Sequence, residues 1–343
     1  MDANGDWISD PTSLTQRDIQ KGDWDSDWNV ETVSASVMDT IDFNDVFTMF
    51  LGLRYDHYDY SNTFTPRGED DPVDFNNTDS IWNGHVGVVY DVAENGNVYL
   101  TWSTSSNING GESDLGGNCG YGGACGADLY EFRSASPEDT TNWELGTKWN
   151  LFDQKLLATV ALFQITKDDV MEGEGYETTG SLNSGENRVR GIEASLTGNI
   201  TEKLSTQFGV AIMESEVLDS YNPDNIGRSL SNFAEDSAFL QLRYQLLDRF
   251  AFGGTASYKS EMYAGQPDSA AGWSTTINDY SYTVPSYTVF DVFAEYDVTD
   301  NLNARLNVTN VTDKDYYLAA YRSGSFTYMG DARRAVLTLT YQM

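Results

Sequence analysis

Two histidines, His57 and His85, are the chain's only side chains of ordinary near-neutral pKa. His85 stands in "NGHVGVVYD", with Asp91 six residues on at the same parity. If that stretch is a strand, a rise of about 3.3 Å per residue separates the two backbones by about 20 Å. That is beyond the reach of an acid–base dyad. No serine lies two residues past His85, so the barrel phospholipase arrangement is missing, and His57 in "RYDHYDY" sits where a strand would end. Glycine clusters fall in connections rather than between a strand and a helix, so neither a P-loop nor a dinucleotide fingerprint is present. The chain reads as a non-enzyme. Metal ligands are equally sparse. "RGEDDPVDFNNTDS" (67–80) offers carboxylate and amide oxygens to Ca²⁺, but without EF-hand register it reads first as a solvated acidic loop. No other cofactor is expected.

The elements that would carry these residues alternate at period two, the pattern of a strand with one apolar face. In the last segment Ala335, Leu337, Leu339, Tyr341 and Met343 oppose Val336, Thr338, Thr340 and Gln342. Trp143, Leu145, Thr147 and Trp149 oppose Asn142, Glu144, Gly146 and Lys148. Such segments fall at 32–43, 47–60, 81–92, 97–105, 141–151, 155–166, 188–199, 204–217, 237–247, 250–261, 286–297, 302–309 and 333–343. Most approach the ~9–11 residues a tilted strand needs to cross a bilayer. "KLLATVALFQI" is apolar on both faces, and Asp39 interrupts the apolar parity of the first segment. Mean hydropathy of −0.46 and the absence of a long apolar run argue against a membrane-spanning helix, but not against a barrel of half-apolar strands. A formal charge of −33 argues against nucleic acid and anionic membranes as partners.

Connections alternate short and long. "DFNDV", "AENGN", "FDQ", "TEK", "LDR" and "VTDN" are turns, and between them lie polar loops at 61–80, 106–140, 167–187, 218–236, 262–285 and 310–332. Tight periplasmic turns and long extracellular loops are the rhythm of an outer-membrane barrel. The fold class expected is therefore all-β, a transmembrane antiparallel β-barrel. "NCGYGGAC" lies in one of the long loops, on an oxidising side, so Cys119 and Cys125 are read as a disulfide. Two thiolates with no histidine nearby make a poor zinc site. The first strand leads into a short turn, which places residues 1–30 outside as an extracellular loop or truncated edge. An odd strand count points the same way. Residues 31–343 are then the C-terminal part of a larger barrel. A smaller passive porin-like channel is the alternative, and a soluble adhesin a more distant one.

Several stretches together resemble the C-terminal barrel half of TonB-dependent outer-membrane siderophore receptors. They are "LGLRYDHYD" (51–59), "SPEDTTNWELGTKWNLFDQKLLATVALFQITKDDV" (136–170), "GENRVRGIEASLTGNITEKLSTQFGVAIMESEV" (185–217), "VPSYTVFDVFAEYDVTDNLNARLNVTNVTDKDYYLAAY" (284–321) and "MGDARRAVLTLTYQM" (329–343). Their order is that of the family. The chain departs in having Ala332 where the family often has Pro and Met343 where it usually ends in Phe. No candidate plug segment is recognised.

The resemblance implies about thirteen strands of a probable twenty-two, in the outer membrane of a Gram-negative bacterium. It implies TonB-energised uptake of a ferric siderophore. The partners implied are outer-membrane lipid, an N-terminal plug with the remaining barrel strands, and the inner-membrane TonB complex through that plug. Arg54, Asp56, Glu144, Lys148, Arg190, Glu193, Asp291, Glu295 and Arg305 are expected to face the lumen and pair there. Trp82, Tyr90, Trp102, Trp143, Trp149, Tyr258, Tyr296 and Tyr341 are expected as interfacial girdles. A ferric catecholate is flat, aromatic and anionic, so loop aromatics and arginines are its expected contacts. They are Tyr121, Tyr130, Phe132, Arg133, Arg228, Trp273, Arg322, Phe326 and Tyr328, with Tyr176, Tyr221, Tyr263, Arg67 and Lys259 as further candidates in the same regions.

Overall fold

The computed structural model describes residues 26–64, 71–108, 136–173, 181–265, 270–321 and 326–342. Its first ten strands are β1 (Ser26–Asn44), β2 (Phe47–Phe64), β3 (Val73–Ala93), β4 (Gly96–Asn107), β5 (Glu138–Leu151), β6 (Leu156–Gly173), β7 (Ser181–Asn199), β8 (Leu204–Asp219), β9 (Asp236–Leu247) and β10 (Phe250–Lys259). One connection then holds four short strands, β11 (Met262–Tyr263), β12 (Trp273–Ser274), β13 (Asp279–Tyr280) and β14 (Thr283–Val284). After it come β15 (Tyr287–Asp297), β16 (Leu302–Thr309), the hairpin β17 (Tyr317–Tyr321) and β18 (Phe326–Met329), and β19 (Arg334–Tyr341). No α-helix occurs among the described residues, only a 3-10 turn at Pro223–Asn225.

Thirteen strands form one sheet in the order β1 to β10, then β15, β16 and β19. Every neighbouring pair is antiparallel, so the sheet is a meander whose long strands match the alternating segments. Register carries each face across it. Leu51 opposes Val86, Val86 opposes Trp102, and Trp102 opposes Trp143. On the other face Val89 opposes Tyr99, then Gly146, Ala161 and Glu193 follow in turn. Among the described residues no ladder joins β1 to β19, so the wall is open at these two strands.

The first face is apolar and uncovered. Val37 is 65% exposed, Leu162 53%, Ile212 55%, and Leu337 and Leu339 both 64%. A continuous apolar surface of this extent is stable only against an apolar solvent. Aromatic rings bound it at both levels. Toward the long connections Tyr55 and Trp82 lie 4.8 Å apart and Trp102 and Trp143 6.4 Å. Toward the short turns Tyr244 and Phe252 meet edge-on at 5.9 Å, with Tyr90, Trp149, Tyr296 and Tyr341 at the same end. The two-sided apolarity of "KLLATVALFQI" resolves by register, with Val160 and Leu162 on the lipid face and Ala161 buried on the other. Asp39 keeps its lipid-face parity, opposite Leu51.

Several expectations are corrected. The strands run past the bilayer on the loop side, to 19, 18 and 21 residues in β1, β2 and β3. Much of 61–80 and 167–187, expected as loop, is therefore ladder. There both faces meet water, hydropathy no longer alternates, and cross-strand polar pairs such as Thr63 to Asp74 at 2.7 Å carry the pairing instead. β1 starts at Ser26, ahead of the apolar residues that signalled it. Arg190, expected in the lumen, shares its face with Trp143 and Ile192 and pairs with Glu214 at 2.8 Å, beyond the apolar belt. A one-residue error of parity reverses a side chain's face, and "NRVRG" offers no apolar neighbour to fix it.

Candidate ligand-binding site

Three long connections, 220–235, 260–286 and 310–333, meet at one end of the wall. The first is shaped by the 3-10 turn. Asn222 caps it by accepting the Asp224 N–H at 3.1 Å, and Pro223 supplies a preset φ. Arg228 Nε donates back to the Asp224 carbonyl at 3.3 Å. The guanidinium thereby lies over Trp273, its Cζ 3.5 Å from the ring centroid. Trp273 opposes Tyr280 in the β12–β13 pair, and their rings meet edge-on at 5.2 Å. Tyr280 in turn stacks on Tyr263 at 3.8 Å with planes 16° apart. The result is a continuous run of one guanidinium and three aromatic rings.

Hydrogen bonds fix the run in place. The Ser229 N–H donates to Tyr280 Oη at 3.1 Å, and Tyr263 Oη donates to Glu261 at 3.2 Å. Burial, then the Glu261 carboxylate, push the Tyr263 phenol up to about 12. Beneath the rings Met262, Ala264, Val284 and Ala320 are buried together, with Ala234 packed on them. Asn232 ties the three connections. Its backbone N–H donates to the Tyr263 carbonyl at 2.7 Å, and its amide exchanges two 2.9 Å bonds with the backbone of Ala320. Its φ of 52° is left-handed, which asparagine tolerates better than most residues.

The structure thus brings together two of the expected contacts, Arg228 and Trp273. Phe326 and Tyr328 lie on β18, exposed, in the hairpin whose other strand carries Ala320. Tyr121, Tyr130, Phe132, Arg133 and Arg322, and the Cys119–Cys125 pair, lie outside the described residues. Tyr263, a further loop aromatic expected there, joins them, and the site adds Tyr280 and Asn232. Tyr280 had a weak signal in the brief alternation of "DYSYTV" (279–284), but a lone loop asparagine has none. A guanidinium beside half-buried aromatic rings can pair with an anion while an aromatic plane of the ligand packs against the cluster.

The lumen face carries paired charge. Arg54 binds Asp56 at 2.6 Å, Tyr99 Oη donates to Glu144 at 2.5 Å, and Lys148 lies 5.0 Å from the Tyr99 ring centroid. Gly146 leaves room for that ring, since a Cβ there would sit 2.4 Å from it. The His85 ring is tilted 45° to Phe50, with centroids 6.0 Å apart, and lies over Gly52. Of the acidic stretch, Asp74 and Asp79 lie in β3. Among the described residues no three His, Cys, Asp or Glu side chains gather around a common metal position.

An antiparallel meander with a lipid-facing apolar side, aromatic borders, an inward polar face and long connections at one end is the wall of an outer-membrane β-barrel. The chain belongs to the TonB-dependent receptors, its residues 2–311 matching the family described as TonB dependent receptor-like, beta-barrel. That family resides in the outer membrane of Gram-negative bacteria. The probable TonB-dependent receptor BfrD of Bordetella pertussis is 31% identical over 91% of this chain and 40% of its own length. The catecholate siderophore receptor Fiu of Escherichia coli K12 is 30% identical over 78% of this chain and 33% of its own. The crystal structure of the siderophore receptor PiuA from Acinetobacter baumannii superposes with a TM-score of 0.78 at 26% identity, covering 92% of this chain and 44% of that one. The chain spans well under half the length of these relatives.

Proposed function

We propose that this chain forms the C-terminal barrel wall of a receptor that takes up a ferric siderophore with energy from the TonB complex. The observation that carries the reading is the family match over 2–311, together with relatives named for siderophores. A passive porin-like channel has no comparable support. The rest of the barrel and a plug are contributed by sequence outside this chain, and TonB engages that plug. Arg228, Trp273, Tyr280 and Tyr263 form the part of the extracellular site present here. Arg228 pairs with the chelate's negative charge and the rings stack on its aromatic planes. No bond is made or broken in the ligand, in keeping with a family of receptors rather than enzymes.

The test is uptake of radioactive iron as a ferric catecholate by iron-starved cells whose only such receptor is the full-length protein. Uptake that requires TonB is expected. Trp273→Ala should weaken chelate binding by about 3- to 30-fold, the range of a cation–π contact and its stacking, while the folded receptor persists in the membrane. Uptake that continues without TonB, or binding unchanged in both Trp273→Ala and Arg228→Ala, would refute the reading.

A further inference from the structure

On the lipid-facing side of the wall the chemistry changes abruptly between β4 and β8. One register row runs Leu100, Leu145, Leu162, Ile192 and Ile212. All five are apolar and exposed, part of the belt against lipid. The next row toward the long connections runs Trp102, Trp143, Gln164, Arg190 and Glu214. The row beyond it runs Thr104, Thr141, Thr166, Arg188 and Glu216. Arg190 therefore holds on β7 the border position that Trp143 holds on β5, where lipid tails give way to headgroups.

β7 and β8 are interior to the sheet and this is its outer side, so a plug or further barrel strands leave the patch uncovered. Each arginine is held by the glutamate opposite it and keeps donors to spare. Arg190 directs Nε and Nη2 at a single Glu214 oxygen, at 2.9 and 2.8 Å. Its Nη1 has no partner among the described residues, and its side chain is 48% exposed. Arg188 meets Glu216 through Nη2 alone, which leaves its Nε and Nη1 without a partner among the described residues. The glutamates thus fix two guanidiniums one above the other without occupying the five N–H donors of either. Beside them stand the exposed Gln164 amide and the half-buried Thr166 and Thr141 hydroxyls.

The formal charge of −33 counts against an anionic surface over the chain as a whole. At this border, however, an anion meets two guanidiniums among neutral donors. One row further out the face turns acidic, with Asp139 opposite Asp168, so an anion on this side is confined to the two arginine rows. We infer that Arg188 and Arg190, with Gln164 and Thr166 beside them, form a docking site for the phosphorylated sugar headgroup of an outer-leaflet glycolipid. Its phosphate pairs with the unused guanidinium donors, for which arginine is well shaped. The amide and hydroxyls meet the sugar hydroxyls, and the acyl chains run on over Leu162, Ile192 and Ile212. That unbroken passage from the arginines onto the apolar belt selects a membrane lipid over free phosphate.

The test is native mass spectrometry of the full-length receptor from detergent containing lipid A, a phosphorylated and acylated glucosamine disaccharide. Wild type is expected to retain lipid A in preference to the same lipid stripped of its phosphates. Arg188→Gln with Arg190→Gln should retain one molecule fewer. That variant leaves Glu214 and Glu216 unpaired, so a fourfold variant adds Glu214→Gln and Glu216→Gln to remove their repulsion. It should still lack the molecule, because the guanidiniums that hold it are gone. Arg249→Gln, which removes an exposed arginine at the short-turn end, should retain as many as wild type. Heat-modifiable migration checks that each variant is folded. Equal retention of the two lipids by wild type, or an unchanged count in the double variant, overturns the site. So does return of the molecule in the fourfold variant, or the same loss in Arg249→Gln.

Discussion

Asn232 is the smallest change that should open the extracellular cluster. Its side chain makes two 2.9 Å hydrogen bonds to Ala320, which is 3% exposed, so water does not readily replace them. Each such bond contributes about 1 kcal/mol net. Asn232 also sits at a φ of 52°, where an alanine costs a further ~1–2 kcal/mol that glycine avoids. Asn232→Gly should therefore loosen the cluster by about 2 kcal/mol and Asn232→Ala by about 3–4 kcal/mol. The Ala320 amide, which donates to Asn232 Oδ1, reports this directly by hydrogen exchange in the full-length receptor. At 1.4 kcal/mol per tenfold, its exchange should quicken about 30-fold in the glycine variant and a few hundred-fold in the alanine variant. Equal exchange in the two variants would refute the backbone part of the argument. Wild-type exchange in both would show that the three connections are not held by Asn232 at all.

Other consequences are open to measurement in the same protein. Gly253→Ala places a Cβ 2.1 Å from the Leu242 carbonyl oxygen and should cost about 1–3 kcal/mol in urea unfolding from liposomes. Gly209→Ala meets nothing within 4 Å and should leave the unfolding midpoint where it is. Leu306→Arg puts a charge on the lipid face and should cost about 2–4 kcal/mol if that face is in the bilayer core. An unchanged midpoint would deny the assigned orientation. Tyr263 has a folded pKa of about 12 against about 10 for a free tyrosine. Its raised pKa means that its contribution to the cluster is whole below pH 10 and is lost as pH rises through 12. The absorbance difference at 295 nm between wild type and Tyr263→Phe should therefore titrate near 12, and a transition near 10 would contradict the burial assigned to it.

Much of the wall was legible from sequence because each strand has one lipid-facing side, and alternation records that side residue by residue. Trp143 to Trp149, Phe290 to Tyr296 and Leu302 to Val308 gave both the strand and its face without any tertiary information. Turn residues gave the order of the meander, since antiparallel neighbours joined by short turns have little choice of partner. The sequence was silent where that single-sided solvent ends. Beyond the belt β2 and β3 continue with water on both faces, and Arg190 lost its parity signal there. The loop cluster was hidden for a different reason. Arg228, Trp273, Tyr280 and Asn232 come from two connections, and their contacts with each other and with Ala320 follow from how those connections pack, not from local pattern. The lumen arginines belong to the same class. Arg243 and Arg305 lie on β9 and β16, which are not neighbours, and only the placing of β10 and β15 between them, with Gly253 letting Phe293 lie flat, sets both guanidiniums beside the one carboxylate of Glu295.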